Sequence, residues 1–144
     1  MKVEREIHIP AAPERVYDVV MDPSRLEDWV TIHQYLEDAP DGRLREGSTL
    51  TQCLRLAHRN FNVDWEVVEN DACKRVVWEG KGPVRSRARV EYEFAPENGG
   101  TRFTYTNEYH LPGGPLGNLA GPAVRRVTGK ELDATLEKLK SIFE

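Results

Sequence analysis

Apolar and polar residues alternate along the start of the chain. Val3, Ile7 and Ile9 fall on one face of an extended segment, and charged residues with one histidine fall on the other. A period of two residues is typical of a β-strand with one buried face. This pattern predicts a first strand over Lys2–Pro10.

Helical spacing replaces the alternation after residue 12. Val16, Val19 and Val20 recur at intervals of three and one residues, which places them on one face of a helix. A proline suits the first turn of this helix, because its missing N–H needs no partner there. These features predict a helix over about Pro13–Met21. The Asp-Pro-Ser sequence that follows ends it and can cap a second short helix over Ser24–Trp29.

From residue 33 to residue 111 the alternation returns in six runs that are separated by turn-forming residues. The Asn-Gly-Gly sequence at residues 98–100 is a strong signal for a hairpin turn. The run around Trp78 is too short to decide whether Trp78, or Val77 with Glu79, faces inward. The six runs predict antiparallel strands over Tyr35–Ala39, Ser48–Ala57, Phe61–Val68, Arg75–Gly80, Ser86–Phe94 and Thr101–Leu111.

The last ~27 residues return to helical spacing. Leu132, Leu136 and Leu139 fall on one face of this segment. The Gly121-Pro122 pair near its beginning is expected to kink the helix or delay its regular start, because proline cannot donate the helical hydrogen bond. The chain is therefore expected to end in one long amphipathic helix.

Six or seven antiparallel strands with one apolar face need a cover on that face. The C-terminal helix is the one long amphipathic element that the pattern offers, and a helix is only about 10 Å wide. The sheet must therefore curve around the helix. We expect a single α+β domain over residues 1–144, with a gap between sheet and helix that could hold a small molecule.

Composition and charge narrow the class of protein. Of the 144 residues, 39% are hydrophobic and 31% are charged, and the net charge is −4. A mildly acidic chain has no electrostatic reason to bind nucleic acid. No apolar run approaches the ~18 residues of a membrane span, and the charged N-terminus does not resemble a signal peptide. By default we expect a cytoplasmic protein of bacterial type, a monomer or a homodimer, with no nucleic-acid partner and no membrane insertion.

Several segments carry a resemblance to a known superfamily. The chain from Ile7 to Trp29 places an Ala-Pro-x-x-Val-aromatic helix before an Asp-Pro-x-x-hydrophobic-x-x-Trp sequence, and later segments begin at Trp65, Arg75 and Thr101. This resembles the START/SRPBCC helix-grip superfamily, in particular its polyketide cyclase/dehydrase and lipid transport branch. The resemblance implies a helix-grip fold, in which a curved antiparallel sheet of six to seven strands wraps around a long C-terminal helix. Two short helices then follow the first strand.

Polar residues share the apolar strand faces. Gln52, Tyr92, Tyr105, Asn107 and Tyr109 alternate into the same rows as large apolar residues. Burying such groups without partners costs about 1–3 kcal/mol each, so their presence favours a hydrated cavity with groups that orient a ligand. The alternative, that they bond to each other, to the backbone or to buried water, stays open. The resemblance places Trp29 and Leu116 at the rim of this cavity. The expected ligand-binding residues are Trp29, Gln52, Leu54, Trp65, Val90, Tyr92, Phe103, Tyr105, Asn107, Tyr109, Leu116, Val124 and Val127.

Few ionisable residues are expected inside such a cavity. Glu79 and Arg85 are the inward candidates, and Glu79 could equally form an exposed pair with Lys81. The four histidines do not converge, the two cysteines lack a metal-ligand spacing, and no Gly-x-Ser-x-Gly motif occurs. The sequence therefore predicts no metal site, no cofactor and no assigned catalytic residue.

Three functions stay open at this stage. A carrier or sensor of a lipid-like, aromatic or polyketide-like molecule is favoured, because general acid–base catalysis needs a group of suitable pKa inside the cavity. A polyketide cyclase/dehydratase using the same cavity is the alternative that the resemblance implies. The third is a protein-interaction module. The charged outward row from Arg87 to Glu93 offers no apolar patch to support that third reading.

Overall fold

The computed structural model describes residues 1–56, 58–110 and 115–144, and the side chains of all these except 115–121. Seven strands and three helices follow in the expected order, with 3-10 turns at Pro23–Arg25 and Pro83–Arg85. The elements are β1 (Lys2–Ile9), α1 (Pro13–Val20), α2 (Leu26–Trp29), β2 (His33–Glu37), β3 (Thr49–Leu56), β4 (Arg59–Asp71), β5 (Arg75–Lys81), β6 (Arg87–Glu97), β7 (Gly100–His110) and α3 (Pro115–Ile142).

The strands form one antiparallel sheet in the order β1-β7-β6-β5-β4-β3-β2. Consecutive strands pair as a meander from β2 to β7, and β1 closes the sheet beside β7. The sheet is curled into a half-barrel that faces α3, so the predicted helix-grip α+β fold is confirmed. The predicted hairpin turn is also present. Asn98 and Gly99 both have positive φ (47° and 78°), as tight hairpin turns require, and Glu97 pairs with Gly100.

Strand β4 differs most from the prediction. The predicted strand ends at Val68, but β4 continues through Asn70 and Asp71, and the turn lies at residues 72–74. The pairing with β5 shifts register between Val67 and Glu69. Such a bulge inserts an extra residue and bends a strand without ending it, which alternation alone does not reveal.

The two helical predictions also change in detail. The second short helix is split, because Asp22 accepts a hydrogen bond from the Ser24 amide (3.0 Å) and caps a 3-10 turn before α2 begins. Helix α3 begins at Pro115 and runs through Pro122, so its start is not delayed. The predicted end of the last strand at Leu111 lies outside the described residues. No described helix is long and apolar enough to cross a membrane.

The helices cover one part of the inner sheet face. Helix α1 packs on β6 and β7, and α3 packs on β1 and α2. On the outer side of α3, Arg5 Nε pairs with the Asp133 carboxylate at 3.1 Å. Under these helices the core contains fully buried side chains from every layer, among them Trp29, Phe103 and Leu132. The remaining part of the inner face is left for a cavity.

Candidate functional site

A cavity of about 550 Å³ lies against the inner face of the sheet. This volume is in the range of small-molecule sites, which are mostly apolar with a few placed polar groups. Its wall draws on five strands, on residues around α2, on the loop between β5 and β6, and on α3. The lining residues are Leu26, Val30, Ile32, Gln52, Leu54, Leu56, Arg59, Phe61, Val63, Trp65, Trp78, Gly82, Pro83, Val84, Ser86, Arg87, Ala88, Val90, Tyr92, Tyr105, Asn107, Tyr109 and Val124.

Aromatic rings form one continuous wall of the cavity. The ring centroids of Trp65 and Trp78 are 6.0 Å apart, those of Trp78 and Tyr92 5.8 Å, and those of Tyr92 and Tyr105 4.9 Å, all edge to face. The absence of a side chain at Gly80 leaves room for this packing. A Cβ at that position would lie 2.7 Å from the Trp65 ring, so a larger residue would displace the indole. The four rings of this wall come from four neighbouring strands, β4 to β7.

Strand β5 also answers the question of orientation that the sequence left open. Trp78 is buried and lines the cavity, whereas Glu79 points outward and pairs with Arg89 at 2.9 Å. Glu79 is thus removed from the inward ionisable candidates. Arg85 is an exposed residue of the 3-10 turn and does not appear in the cavity wall among the described residues.

Gln52 is held by its neighbours. The Trp65 indole N–H donates to Gln52 Oε1 at 2.9 Å, and Gln52 Nε2 lies 2.9 Å from His33 Nδ1. Because an amide NH₂ can only donate, His33 must accept through Nδ1 and is neutral at that nitrogen. Burial lowers the pKa of His33 despite the opposing effect of Glu27, in agreement with a neutral ring. Gln52 is therefore hydrogen-bonded to other side chains of the protein, which is one of the alternatives that the sequence left open.

Asn107 is bonded on one side only. Its Nδ2 donates to the Tyr109 hydroxyl at 3.0 Å, while its Oδ1 is buried and has no partner among the described residues. The Trp78 indole nitrogen is likewise buried without a partner in the described part of the chain. Buried polar groups are nearly always paired, so each of these needs a bonding partner such as water or a ligand. Both belong to residues of the cavity wall.

Glu131 is a residue that sequence reasoning missed. It lies on α3 and accepts hydrogen bonds from the hydroxyls of Thr31 (2.9 Å) and Thr135 (2.5 Å). Burial raises the pKa of its carboxyl, and the two hydroxyl bonds oppose that rise. The available signal was the row of Thr128, Glu131 and Thr135, which recurs at three and four residues beside the apolar face of α3.

The charge of the Glu131 carboxylate acts on the hydroxyl groups of the three tyrosines of the wall. Burial raises the pKa of Tyr92, Tyr105 and Tyr109, and the negative charge of Glu131 adds to the rise for each. For Tyr109 the pKa reaches about 12. All three phenols are therefore protonated at neutral pH, and they can donate to a carbonyl or hydroxyl oxygen of a bound molecule.

The structure brings nine of the thirteen expected ligand-binding residues to the cavity wall. These are Gln52, Leu54, Trp65, Val90, Tyr92, Tyr105, Asn107, Tyr109 and Val124. Trp29 and Phe103 are fully buried behind the wall, because the Trp29 ring packs edge to face on Phe103 and on two of the tyrosines. Val127 is 39% exposed, because the inward side of α3 at this level carries Thr128 and Glu131 instead. The side chain of Leu116 lies outside the described residues.

A second depression, of about 630 Å³, lies on the outer face of the sheet. Many of the side chains that line it are charged or carry a hydroxyl group, and these side chains pair with each other. Arg89 Nη1 lies 2.9 Å from the Glu79 carboxylate, and the Thr51 hydroxyl donates to Asp64 at 2.7 Å. Within the described ranges, no three His, Cys, Asp or Glu side chains are grouped as metal ligands. The inner cavity is therefore the candidate site.

The chain belongs to the family described as polyketide cyclase / dehydrase and lipid transport, whose sequence profile matches residues 1–144. One relative is an uncharacterised Mycobacterium tuberculosis protein, Rv1546, which is 30% identical over 135 residues, 90% of this chain and 92% of the relative. Another protein of that organism, named toxin Rv0910, is 22% identical over 146 residues, 99% of this chain and 97% of its own length.

Solved structures share the fold at low sequence identity. The TTHA0849 protein of Thermus thermophilus superimposes with a TM-score of 0.80 at 23% identity, covering 98% of this chain and 95% of that one. A conserved protein from Geobacillus kaustophilus gives a TM-score of 0.79 at 18% identity, covering 99% and 95%. These similarities establish the helix-grip fold. The family resemblance expected from the sequence is thereby confirmed.

Proposed function

We propose that this protein binds a small, predominantly apolar molecule in the cavity between the sheet and α3. The single observation that carries the proposal is the cavity itself, about 550 Å³ lined mainly by aliphatic and aromatic side chains. Burying apolar ligand surface against such a wall contributes roughly 25 cal/mol for each Å² removed from water. The family, which includes lipid transport in its description, supports the same conclusion.

A few polar groups would orient the ligand within this apolar space. Asn107 Oδ1 is an unpaired acceptor, and the Trp78 indole N–H is an unpaired donor among the described residues. The Tyr109 hydroxyl, which accepts from Asn107, keeps its own proton for donation. A ligand with a hydroxyl or carbonyl group would satisfy these atoms at little cost in desolvation, and specificity would come from that match.

Access to the cavity would lie at the β3–β4 hairpin and the loop between β5 and β6. Leu56 and Arg59 flank the hairpin, and both line the cavity. In the loop, Pro83 and Val84 line it as well, and Val84 is 81% exposed with a left-handed φ of 55°. A β-branched residue is strained in that region, so the small movement that entry of a ligand requires would take place in this loop.

The experiment is a fluorescence titration with N-phenyl-1-naphthylamine, a neutral apolar probe whose emission rises in a dry site. We expect saturable binding to the wild-type protein with a stoichiometry of one. Ala88 lies on the wall between Gly80 and Tyr109 in the sheet register. Ala88→Phe fills the cavity, so we expect at least a tenfold loss of probe affinity.

Ala134→Phe, on an exposed face of α3, is the matched control and should leave the affinity unchanged. Urea unfolding of each variant checks that the fold is intact. If Ala88→Phe does not fold, the smaller Ala88→Leu takes its place with a smaller expected loss. Unchanged binding in a folded cavity-filling variant, or no binding to the wild type, would overturn the proposal.

A second candidate function is favoured by Glu131 and its neighbours. Glu131 is a half-buried carboxyl of raised pKa, and its charge acts on three protonated phenols, a combination that resembles the groups that general acid–base catalysis needs. In a cyclase/dehydratase reaction, a base takes a proton from the carbon between two ketones. The resulting enol carbon bonds to a third carbonyl carbon, and one water leaves. Tyr105 and Tyr109 are placed to donate to the ketone oxygens, since both line the cavity.

This second function is tested with a linear poly-β-ketone thioester, by chromatography of the cyclised product. Tyr105→Phe and Glu131→Gln should each lower turnover by at least a hundredfold while the naphthylamine probe still binds. If the ketone binds but is not converted by the wild-type protein, the cyclase function is excluded and binding remains.

A further inference from the structure

The end of the molecule at the cavity opening differs in charge from the rest of the chain. Three segments meet there, residues 55–59, 81–87 and 122–127. They hold seven of the 20 lysines and arginines and none of the 24 acidic residues, although the whole chain has a net charge of −4. The seven, which together form the basic end, are Arg55, Arg59, Lys81, Arg85, Arg87, Arg125 and Arg126.

The topology brings the three segments to one end of the fold. In an antiparallel meander the β3–β4 and β5–β6 connections lie at the same end of the sheet, and β7 finishes there as well. Helix α3 starts from that end, where Arg125 Nη1 donates to the Lys2 carbonyl at 3.2 Å. Each segment also contributes to the cavity wall, through Arg59, Val84 and Val124. The basic end therefore borders the proposed opening of the cavity.

The basic residues occupy both faces of the sheet at this end. Arg59 lies in the inward row of β4, whereas Lys81 and Arg87 are cross-strand neighbours in the outward row of β5 and β6. Arg85 belongs to the connecting loop and Arg126 to α3, and all five side chains are exposed. They do not converge on one point, as the ligands of a single bound ion would. Charges distributed over a rim fit an extended anionic surface instead.

None of these seven charges is neutralised in the part of the chain that the structure describes. The ion pairs within 4.0 Å there all involve other basic residues. Arg55 and Arg125 donate to uncharged oxygens, and Asp64, the cross-strand neighbour of Lys81, accepts from the Thr51 hydroxyl instead. Exposed charges of this kind act on an anionic surface within a Debye length, about 8 Å at physiological ionic strength.

Exposed apolar side chains accompany the charges. Among the described residues three large apolar side chains are exposed, and two of them, Val84 and Val127, lie in these segments. Val84 is 81% exposed beside Arg85, in the loop that borders the cavity. The headgroup region of a bilayer offers both anionic phosphates and an apolar boundary. Nucleic acid would leave Val84 without a partner, and the three segments contain no Phe, Trp or Tyr on which a base could stack.

We infer that the basic end docks on an anionic lipid bilayer, with the cavity opening facing the bilayer surface. The contact is peripheral: the arginines bind headgroup phosphates, and Val84 reaches the boundary of the acyl chains. The rest of the chain has 13 basic and 24 acidic residues, so the surface repels it and turns the basic end inward. An apolar ligand then passes between bilayer and cavity without crossing water. This inference adds a partner to the proposed function, and docking is measurable with the cavity empty.

The test is co-sedimentation with sucrose-loaded vesicles at neutral pH and about 0.1 M NaCl. Vesicles of phosphatidylcholine with about 30% phosphatidylglycerol are compared with vesicles of phosphatidylcholine alone. We expect the protein to bind the anionic vesicles at least tenfold more tightly. We expect about 0.5 M NaCl to abolish that difference, because salt screens exposed charges.

Variants assign the docking to the basic end. Arg55→Gln, Arg85→Gln and Arg126→Gln together remove one charge from each segment, and none of these side chains lines the cavity among the described residues. The triple variant should bind the anionic vesicles at least tenfold more weakly, while its affinity for N-phenyl-1-naphthylamine stays within twofold of the wild type. Lysine at the same three positions should preserve docking, because the bilayer attracts the charge.

The matched control removes three charges from the opposite end of the sheet. Arg45, Lys74 and Lys138 are exposed there, on the β2–β3 loop, the β4–β5 turn and the last part of α3. Arg45→Gln, Lys74→Gln and Lys138→Gln together change the net charge equally and should leave the vesicle affinity within threefold of the wild type. If urea titration shows that a triple variant does not fold, its single substitutions replace it, with about twofold losses expected at the basic end only.

Each outcome has a distinct meaning. Equal binding to both kinds of vesicle would overturn the inference, as would variants of the basic end that bind no more weakly than the control. Tighter binding to duplex DNA than to the anionic vesicles, at equal phosphate concentration, would overturn it in favour of nucleic acid. Saturable probe binding without docking leaves the proposed function intact. Docking without probe binding supports the inference and overturns the proposed function.

Discussion

Two halves of the inner sheet face show the same alternation of residues but opposite packing. The half under the helices is closed: Trp29, Phe103 and Leu132 are fully buried, and the Trp29 ring lies edge to face on Tyr92, Phe103 and Tyr105. The half toward the β3–β4 hairpin is open and carries the cavity. One helix about 10 Å wide cannot cover seven strands about 4.8 Å apart, so the uncovered part becomes a pocket.

The largest expected effect lies in the closed half. Trp29→Ala removes an indole that contacts three aromatic rings and leaves a void that cannot collapse easily. We expect it to lower the free energy of unfolding by about 3–5 kcal/mol, measured by urea denaturation. A loss below about 1 kcal/mol would show that this half is not tightly packed.

The same substitution in each half compares the two directly. Leu132 is a fully buried residue of α3, whereas Leu54 is 7% exposed and faces the cavity. We expect Leu132→Ala to lower the free energy of unfolding by about 3 kcal/mol and Leu54→Ala by about 1 kcal/mol. Leu54 has fewer partner atoms to lose, because one side of it already meets the cavity. Equal losses would contradict the distinction between the halves.

Two glycines provide a smaller test at the border of the halves. A Cβ on Gly80 would lie 2.6 Å from Val63 and 2.7 Å from the Trp65 ring, so Gly80→Ala should cost about 1–3 kcal/mol. Gly129 is the matched control. Its added Cβ would meet mainly the mobile end of Arg5, and alanine favours the helix, so Gly129→Ala should be neutral or stabilising by up to about 1 kcal/mol. The urea midpoints of both variants measure this contrast.

The smallest effect concerns the pH dependence of stability. The folded-state pKa of Glu131 is raised by burial above its ordinary value of 4.5, so the folded protein binds more protons than the unfolded chain just above that pH. Stability contributed by Glu131 is therefore lost as pH rises from 4.5 through the folded pKa. Relative to the wild type, Glu131→Gln should gain stability over that interval, and exposed Glu137→Gln should not. Urea unfolding from pH 4 to pH 7 measures this difference. If Glu131→Gln lost stability relative to the wild type as the pH rose, the raised pKa of Glu131 would be contradicted.

Much of this architecture could be predicted from the sequence, because alternation is a local signal. The rows that contain Val90 with Tyr92 and Tyr105 with Asn107 appear on the inner face as expected. The extension of β4 could not be predicted, because the bulge near Val67 depends on pairing with β5. Arg59 was not predicted to line the cavity, because the predicted strand begins two residues later, at Phe61.

The assignment of side chains on helices is the weaker part of the prediction. Helical spacing identified Val124 at the cavity, but it also suggested Val127, which is exposed. Glu131 was overlooked because a charged residue is normally placed on the solvent side of an amphipathic helix. Its partners, Thr31 and Thr135, are 104 residues apart, and such a contact becomes visible only in the folded chain.

The central claim is that the open half of the sheet binds an apolar molecule, and an NMR titration with N-phenyl-1-naphthylamine tests it most directly. We expect saturable shifts of the methyl signals of Leu54, Val63 and Val90, while those of Leu132 and Leu139 in the closed half remain unchanged. Shifts confined to the outer sheet face, such as at Thr51, or an absence of saturable shifts at the cavity methyls, would contradict the claim.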